Sequence, residues 1–396
     1  MYKALQSQSF MRNPAPILSV LREEGALVQT KIPILGRVWF TTNQSASAEV
    51  LKNQERFSVK KKNGQVVGLS WWMPKLLKRL TANMLSSDEP EHTRLRSAVD
   101  HAFQRRAISD MASMIEGLAA KQIAVLFAQG GSVDLVAGFA RPFPLAVICE
   151  LLGLPEQDRM KFSEWASGIT AVNGILSFLF AINRLRPLTR YIEARIAHEK
   201  NHGGVGLIHE LIHNNDADLS DDELMAMIFL LLLAGHETTT HLIAGGAYAL
   251  FENPDQLDLL RKNPELIDLA VEEILRFVSP VQMTKPRFVR QDCDVQGVAL
   301  RAGDLVMPLL IAANFDPAVF DAPEKMDITR KPNRHMEFGT GIHFCLGHQL
   351  ARLEMKAALN VLFLGERPIS PDTALDRVRW NARLGLRSLK ELHVRQ

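Results

Sequence analysis

Cys345 stands in the stretch FGTGIHFCLGHQLARLE (338–354), among three glycines, two phenylalanines and two histidines, where a helical pattern begins. A thiolate at a helix N-terminus is stabilised by unpaired backbone N–H groups and by the helix dipole. Gly339, Gly341 and Gly347 remove side chains, so that backbone can lie close to a large flat group, and Phe338 would close one side. A single cysteine with no second ligand nearby suits an iron carried by a macrocycle better than a bare zinc ion. The plain alternative is a buried free cysteine, and the glycine spacing argues against it.

A second constellation, AGHETTT (234–240), interrupts an apolar run. Glu237 there must be hydrogen-bonded, protonated or in contact with water, because an unpaired buried carboxylate is costly. Thr238 can turn its hydroxyl back to the carbonyl of Ala234 and loosen the helix locally. Gly235 makes room beside the same turn. The chemical reading is a polar notch in an apolar wall that holds a diatomic molecule and delivers protons. The bland reading, a polar kink satisfied by neighbouring loops, stays open on these residues alone.

Two further groupings are weaker. Glu273 and Arg276 share a helix face at three-residue spacing, a pattern common among exposed ion pairs. His92 and Arg96 stand one above the other at i and i+4 and could grip one anion; Arg287 and His343 are candidates for the same task. Taken singly, each is an ordinary surface residue.

The elements that must position these groups are mostly helices. LSDDELMAMIFLLLLAGHETTTHLIAGGAYALFENP opens with Ser220 and Glu223 in capping-box spacing and ends before Pro254. That predicts a helix of roughly 30 residues, apolar on most of its surface and therefore running through the core. PELIDLAVEEILRFVSP predicts another, from Pro264 to before Pro280. Helical spacing also marks residues 111–127 and 188–199, with a loop at 200–206. Strand-like segments are short: LVQTKI and RVWFTT near the N-terminus, and residues 288–310 with turns at QG and AG. The fold expected is mainly α with small peripheral β-sheets, in a single domain over residues 1–396.

The totals exclude several classes. The 396 residues carry a net charge of +2, which gives no argument for nucleic acid or an anionic membrane. Cys149, Cys293 and Cys345 are far apart and odd in number, so neither a disulfide framework nor a zinc site is indicated, and a reducing compartment fits. The start has no signal-peptide or anchor pattern. The apolar runs at 174–183 and 225–235 fall short of the ~20 residues a membrane span requires. A cytoplasmic protein is expected.

FGTGIHFCLG resembles the haem-binding signature of the cytochrome P450 superfamily, F-x-x-G-x-x-x-C-x-G, at every fixed position. AGHETT resembles the oxygen-activating motif of that family's long central helix, and EILR its E-x-x-R motif, in the family's order. The likeness runs from NPAPILSVLREEG to LGLRSLKELHV. It implies the cytochrome P450 fold, with haem between the central helix and the cysteine loop, and Cys345 as the thiolate ligand of haem iron. It implies that Phe338 packs on the cysteine loop, and that His92, Arg96, Arg287 and His343 pair the haem propionates. Ala234 and Gly235, with Gly339 and Gly347, would border the haem. Glu237 and Thr238 match the acid–alcohol pair that guides protons to oxygen, and Glu273, Arg276 and Arg330 match a structural ion-pair triad. Two departures stand out: Glu237 where many relatives have Asp, and Phe315 where relatives commonly carry arginine.

By family position, substrate contacts would come from Val67, Leu69, Trp71 and Trp72, the stretch near 175–180, Val281, Met283 and Leu384. Most are apolar, which points to a hydrophobic small molecule; ordinary core is the other reading of each. The activity implied is haem-thiolate monooxygenation: one oxygen atom of O2 inserted into that molecule. Electrons would come from a separate ferredoxin and an NAD(P)H-dependent ferredoxin reductase. An acidic partner would meet arginines 94, 105, 106 and 352, or these form a merely solvated surface. A peroxide-driven peroxygenase and a non-catalytic haem-binding sensor or carrier are the alternatives. The intact Glu237–Thr238 pair speaks against the first, and the long apolar wall speaks against the second.

Overall fold

A computed structural model describes residues 2–33, 35–61, 75–105, 111–159, 161–162, 165, 175–213 and 218–396, without the side chains of 75, 77, 101–102, 104–105 and 175–184. The chain divides into two compact units, each assembled from separated segments.

The first unit comprises Met1–Leu69, Ala119–Ala140 and Thr238–Gln396. Its five-stranded sheet has the order Leu27–Ile32, Gly36–Thr41, Leu305–Met307, Arg287–Val289, Phe57–Ser58. The first two strands form the antiparallel hairpin that their alternation predicts, with Leu27 opposite Thr41 and Ile32 opposite Gly36. Leu305–Met307 then joins Gly36–Thr41 in parallel, and the remaining pairs are antiparallel. The QG turn is a tight link between Cys293–Val295 and Val298–Leu300, with Gln296 and Gly297 both at positive φ, as such two-residue hairpins require. One face of the large sheet buries Val28, Val38 and Phe40 with Phe10, Leu18, Met307 and Phe315.

The second unit, Ser70–Leu118 and Arg141–Glu237, has only helical elements among its described residues, including Glu91–Arg105, Pro142–Leu152, Ile175–His202 and Leu207–His213. Pro142–Leu152 is apolar nearly all round and buried accordingly, from Phe143 through Leu145. The helix expected at 188–199 extends over Ile175–His202, with Pro187 inside it.

The central helix, Asp221–Glu252, supplies its first part to the second unit and the rest to the first. Its start is the capping box that the spacing predicts. The Glu223 N–H donates to Ser220 Oγ at 3.3 Å, and Glu223 Oε2 accepts from the Ser220 N–H at 2.8 Å. Asp221, Asp222 and Glu223 in the first turn also complement the dipole. The helix is long and apolar enough to cross a membrane, but its most apolar window is 67% buried within the protein, the mark of a core helix. The other predicted helix begins as a 3-10 turn at Pro264–Leu266 and continues as Ile267–Val278, closed by Ser279 in the left-handed conformation.

Replacing the capping hydroxyl in Ser220→Ala should lower the unfolding free energy by about 1 kcal/mol, seen as a lower urea midpoint at unchanged slope. An unchanged midpoint would mean that the first turn is held by its acidic residues and packing alone.

Candidate active site

The cysteine loop is built by short backbone bonds. The Gly339 N–H donates to Met336 O at 2.8 Å, the Phe344 N–H to Gly341 O at 3.0 Å, and the Cys345 N–H to Phe338 O at 2.9 Å. Gly341 has a φ of +75°, and a Cβ there would lie 2.4 Å from the Leu51 carbonyl oxygen, so neither conformation nor space admits a side chain. At Gly347, the residue capping the helix His348–Leu359, nothing lies within 4 Å of an added Cβ. Cys345 is half-buried and Phe344 is 38% exposed, unusual for a large apolar residue. The loop thus has a half-buried thiol at a helix mouth, two residues before a glycine with open space at its missing side chain, which fits a flat prosthetic group.

Phe338 closes the loop as expected, under the Arg352 guanidinium at 4.5 Å and beside the rings of His335, Phe344 and His348. Arg352 is held in place by Glu272 through bonds of 2.5 and 2.8 Å, and His335 Nε2 lies 3.0 Å from the same carboxylate. Burial pushes the Glu272 carboxyl up, but its bonds to Arg352 and His335 outweigh that and hold it at about 2.

The expected ion-pair triad is present. Arg276 is fully buried and meets Glu273 through two bonds of 2.7 and 2.8 Å; Arg330 Nε reaches Glu273 Oε2 at 3.2 Å. Not foreseen from sequence are Asn333 Nδ2 at 3.0 Å and the Asp327 N–H at 2.9 Å on the same carboxylate. The main-chain carbonyls of Asn314, Pro323 and Lys325 complete the coordination of Arg276. Phe315, the departure from the arginine of relatives, is buried under that guanidinium at 5.5 Å, with Phe277 and Phe320 at 5.7 and 5.3 Å. An aromatic residue there helps to house a cation that needs no further like charge beside it.

Arg287 opens its strand and is buried, with Nη1 3.4 Å from the Lys285 carbonyl, and His343 is half-buried in the cysteine loop. In the second unit, His92 and Arg96 occupy successive turns of Glu91–Arg105. His92 is buried, and desolvation pushes its pKa down against the pull of Glu89; Arg96 adds to the lowering. Arg96 Nε lies 3.2 Å from both Asp100 oxygens.

On the central helix Glu237 is buried, while Ala234 is exposed and Thr238, one turn on, is half-buried. Ala234 and Thr238 are thus less covered than Leu231, Leu232, Thr239 and Thr240 on either side of them. Gly235 is set against Ile148, where a Cβ would approach the side chain to 2.9 Å. The helix stays α throughout this turn.

Of the substrate positions, Val67, Leu69, Trp71 and Trp72 lie outside the described residues, as do the side chains near 175–180. Val281 is half-buried and bridges Leu386. Met283 is a buried member of the sheet's core cluster, with Leu384 packed against it. Among the arginines assigned to a docking face, Arg94 is matched by Glu91 at 2.6 Å and by Glu223, and Arg352 by Glu272. Arg106 and the side chain of Arg105 lie outside the described residues.

A family model described as Cytochrome P450 matches residues 190–364. The chain is 36% identical to the cytochrome P450 monooxygenase PikC of Streptomyces venezuelae over 98% of its length and 92% of that protein's. It superposes with a TM-score of 0.89, at 34% identity, on the cytochrome P450 PksS of the Bacillus subtilis bacillaene polyketide synthase, covering 98% of each chain. P450BioI in complex with a hexadec-9Z-enoic acid-ligated acyl carrier protein gives 0.88 at 32% identity, over 98% of this chain and 99% of that one.

Two outcomes follow from the charges around the loop. Glu273→Ala leaves Arg276 buried and unpaired and should cost about 3–5 kcal/mol, read as a fall in the denaturation midpoint; a loss below 1 kcal/mol would show that the main-chain carbonyls suffice. Because the Glu272 carboxyl is held below its unfolded value, its contribution is full above the ordinary glutamate pKa and is lost as pH falls toward 2. Glu272→Gln should therefore flatten the stability profile between about pH 4.5 and 2, and an unchanged slope there would contradict the assignment.

Proposed function

The chain belongs to the cytochrome P450 family and is a cytochrome P450 monooxygenase using haem b and O2; from that premise we propose that it oxidises a hydrophobic small molecule with electrons from a separate ferredoxin. The observation that carries this reading is the Cys345 loop, whose half-buried thiol at a helix mouth has unfilled space beside Gly347. When bound, haem b supplies the iron at which O2 is activated.

The remaining work falls to this chain's own residues. Cys345 supplies the thiolate sulfur, and Phe338 O fixes the Cys345 backbone at 2.9 Å so that the sulfur is held in one place. The Phe338 ring covers the loop beneath the Arg352 guanidinium, keeping water from one side of it. His92, Arg96, Arg287 and His343 would pair the two propionates; Ala234, Gly339 and Gly347 would border the macrocycle with little or no side chain, and Gly235, whose missing Cβ faces Ile148, would border it through its backbone. Arg287 is buried, where a guanidinium requires an acceptor in place of water. Delivery of one oxygen atom to product and release of the other as water consumes two protons and two electrons per turnover. Glu237 takes up protons at its carboxylate, and the Thr238 hydroxyl passes them on. Support for that assignment is the buried carboxyl followed directly by a half-buried hydroxyl, in a turn where Ala234 is exposed.

The substrate contacts assigned are Val281, Met283 and Leu384 together with Val67, Leu69, Trp71 and Trp72, all apolar, hence a hydrophobic substrate. The fatty-acyl ligand of P450BioI is consistent with that class. An NAD(P)H-dependent ferredoxin reductase would recharge the ferredoxin. The three cysteines, all free thiols, are compatible with a cytoplasmic setting. Residues 1–396 are assigned to one catalytic domain, in keeping with the helix Asp221–Glu252 running unbroken across residues 237 and 238, where one unit gives way to the other.

Thr238→Ala tests the proton assignment. With a surrogate ferredoxin and reductase, product per NAD(P)H consumed should fall by about 10²-fold, while NAD(P)H oxidation continues and hydrogen peroxide accumulates. Peroxide supplied directly should restore product in the variant. Undiminished product per NAD(P)H would remove Thr238 from the proton path, and a wild-type protein that turns over with peroxide but not with NAD(P)H, ferredoxin and reductase would favour a peroxygenase.

A further inference from the structure

Glu337 immediately precedes Phe338 and is buried, although nothing in the haem-binding signature calls for an acid there. A buried carboxyl is tolerated only where its oxygens are bonded, and these are bonded to two other segments. Oε1 accepts the Val281 N–H at 2.8 Å, and Oε2 accepts Asn314 Nδ2 at 3.1 Å. Asn314 in turn donates to Ser279 Oγ at 2.9 Å and accepts the Met336 N–H at 2.7 Å. One peptide further along, the Phe338 carbonyl accepts the Cys345 N–H. A continuous path of short bonds therefore runs from the backbone of Val281, in the turn assigned to substrate, to the backbone of Cys345.

We propose that Glu337 is a positioning residue that couples the turn at 279–283 to the cysteine loop, so that what presses on Val281 is felt at Cys345. The part of this that concerns substrate and sulfur rests on the function proposed above; the coupling itself rests on the bonds alone. Desolvation drives the Glu337 carboxyl well above the usual range, against the pull of the bonds from Val281, Ser279 and Asn314 and of the Arg387 charge. The other charged or titratable groups around it are His335, whose Nδ1 accepts the Glu337 N–H at 3.3 Å, and the Glu273–Arg276 pair behind Asn314.

The test is amide hydrogen exchange in the haem-loaded protein, comparing wild type, Glu337→Gln and Glu337→Ala. Removal of the carboxyl in Glu337→Ala should reduce protection at both Val281 and Cys345 by about 5–10-fold, as expected for loss of a net ~1 kcal/mol hydrogen bond. Glu337→Gln keeps one acceptor oxygen but turns an N–H toward the second donor, so it should lose less protection than Glu337→Ala, again at both amides together. In either variant, reduced protection at Val281 with Cys345 unchanged, or no reduction at either amide, would overturn the coupling. Should Glu337→Ala not fold, the comparison of Glu337→Gln with wild type decides alone. A wild-type protein without a thiolate spectrum would sink the proposed sulfur ligand while leaving the exchange result readable; a normal spectrum with independent amides would sink only the coupling.

Discussion

Arg276 spends its whole guanidinium in a place without water. Its five N–H groups meet five acceptors: both Glu273 oxygens and the carbonyls of Asn314, Pro323 and Lys325. Glu273 is equally occupied, by Arg276, Arg330, Asn333 and the Asp327 N–H. Such a pair adds little net stability over an apolar filling, yet it cannot be broken on one side without stranding a buried charge. Its importance is positional. It pins the irregular segment 314–333 onto the helix Ile267–Val278, and Asn314 within that segment orients Met336 and Glu337 at the base of the cysteine loop.

From that base the loop is determined by short-range geometry. Gly341 lies against the Leu51 carbonyl, Phe338 is clamped below Arg352, and the Cys345 N–H is fixed by Phe338 O. The same economy governs the central helix, where apolar packing holds most of the length and one turn departs from it. Glu237 is buried there, but Ala234 and Thr238 are not fully covered. A cysteine that must keep one thiol orientation and a helix that must keep one polar turn are both served by rigid surroundings.

Much of this was legible in the sequence, for identifiable reasons. The capping box at Ser220 and Glu223, the proline at the start of residues 264–278 and the QG turn are local signals, and the structure has each of them. Glu273, Arg276 and Arg330 were found through their resemblance to a family motif, because E-x-x-R spacing alone says almost nothing. What escaped were partners without a side-chain signature. Main-chain carbonyls at Asn314, Pro323 and Lys325 leave no trace in composition. Nothing in the sequence around Glu337 points to the segments its carboxyl binds. The sequence gives no sign that Arg94 and Arg352 also meet Glu223 and Glu272, because those carboxylates are 129 and 80 residues away. Phe315 stands out in the sequence as a departure, but its place under a buried guanidinium depends on long-range packing.

The measurement that bears most directly on the central claim is the absorption spectrum of the reduced protein with carbon monoxide, for wild type and Cys345→Ala. A thiolate-ligated haem places the Soret band far to the red, and the account requires that band in wild type and its loss in the variant. A wild-type band at the position of histidine-ligated haem, or folded protein that takes up no haem when haem is supplied, would contradict it.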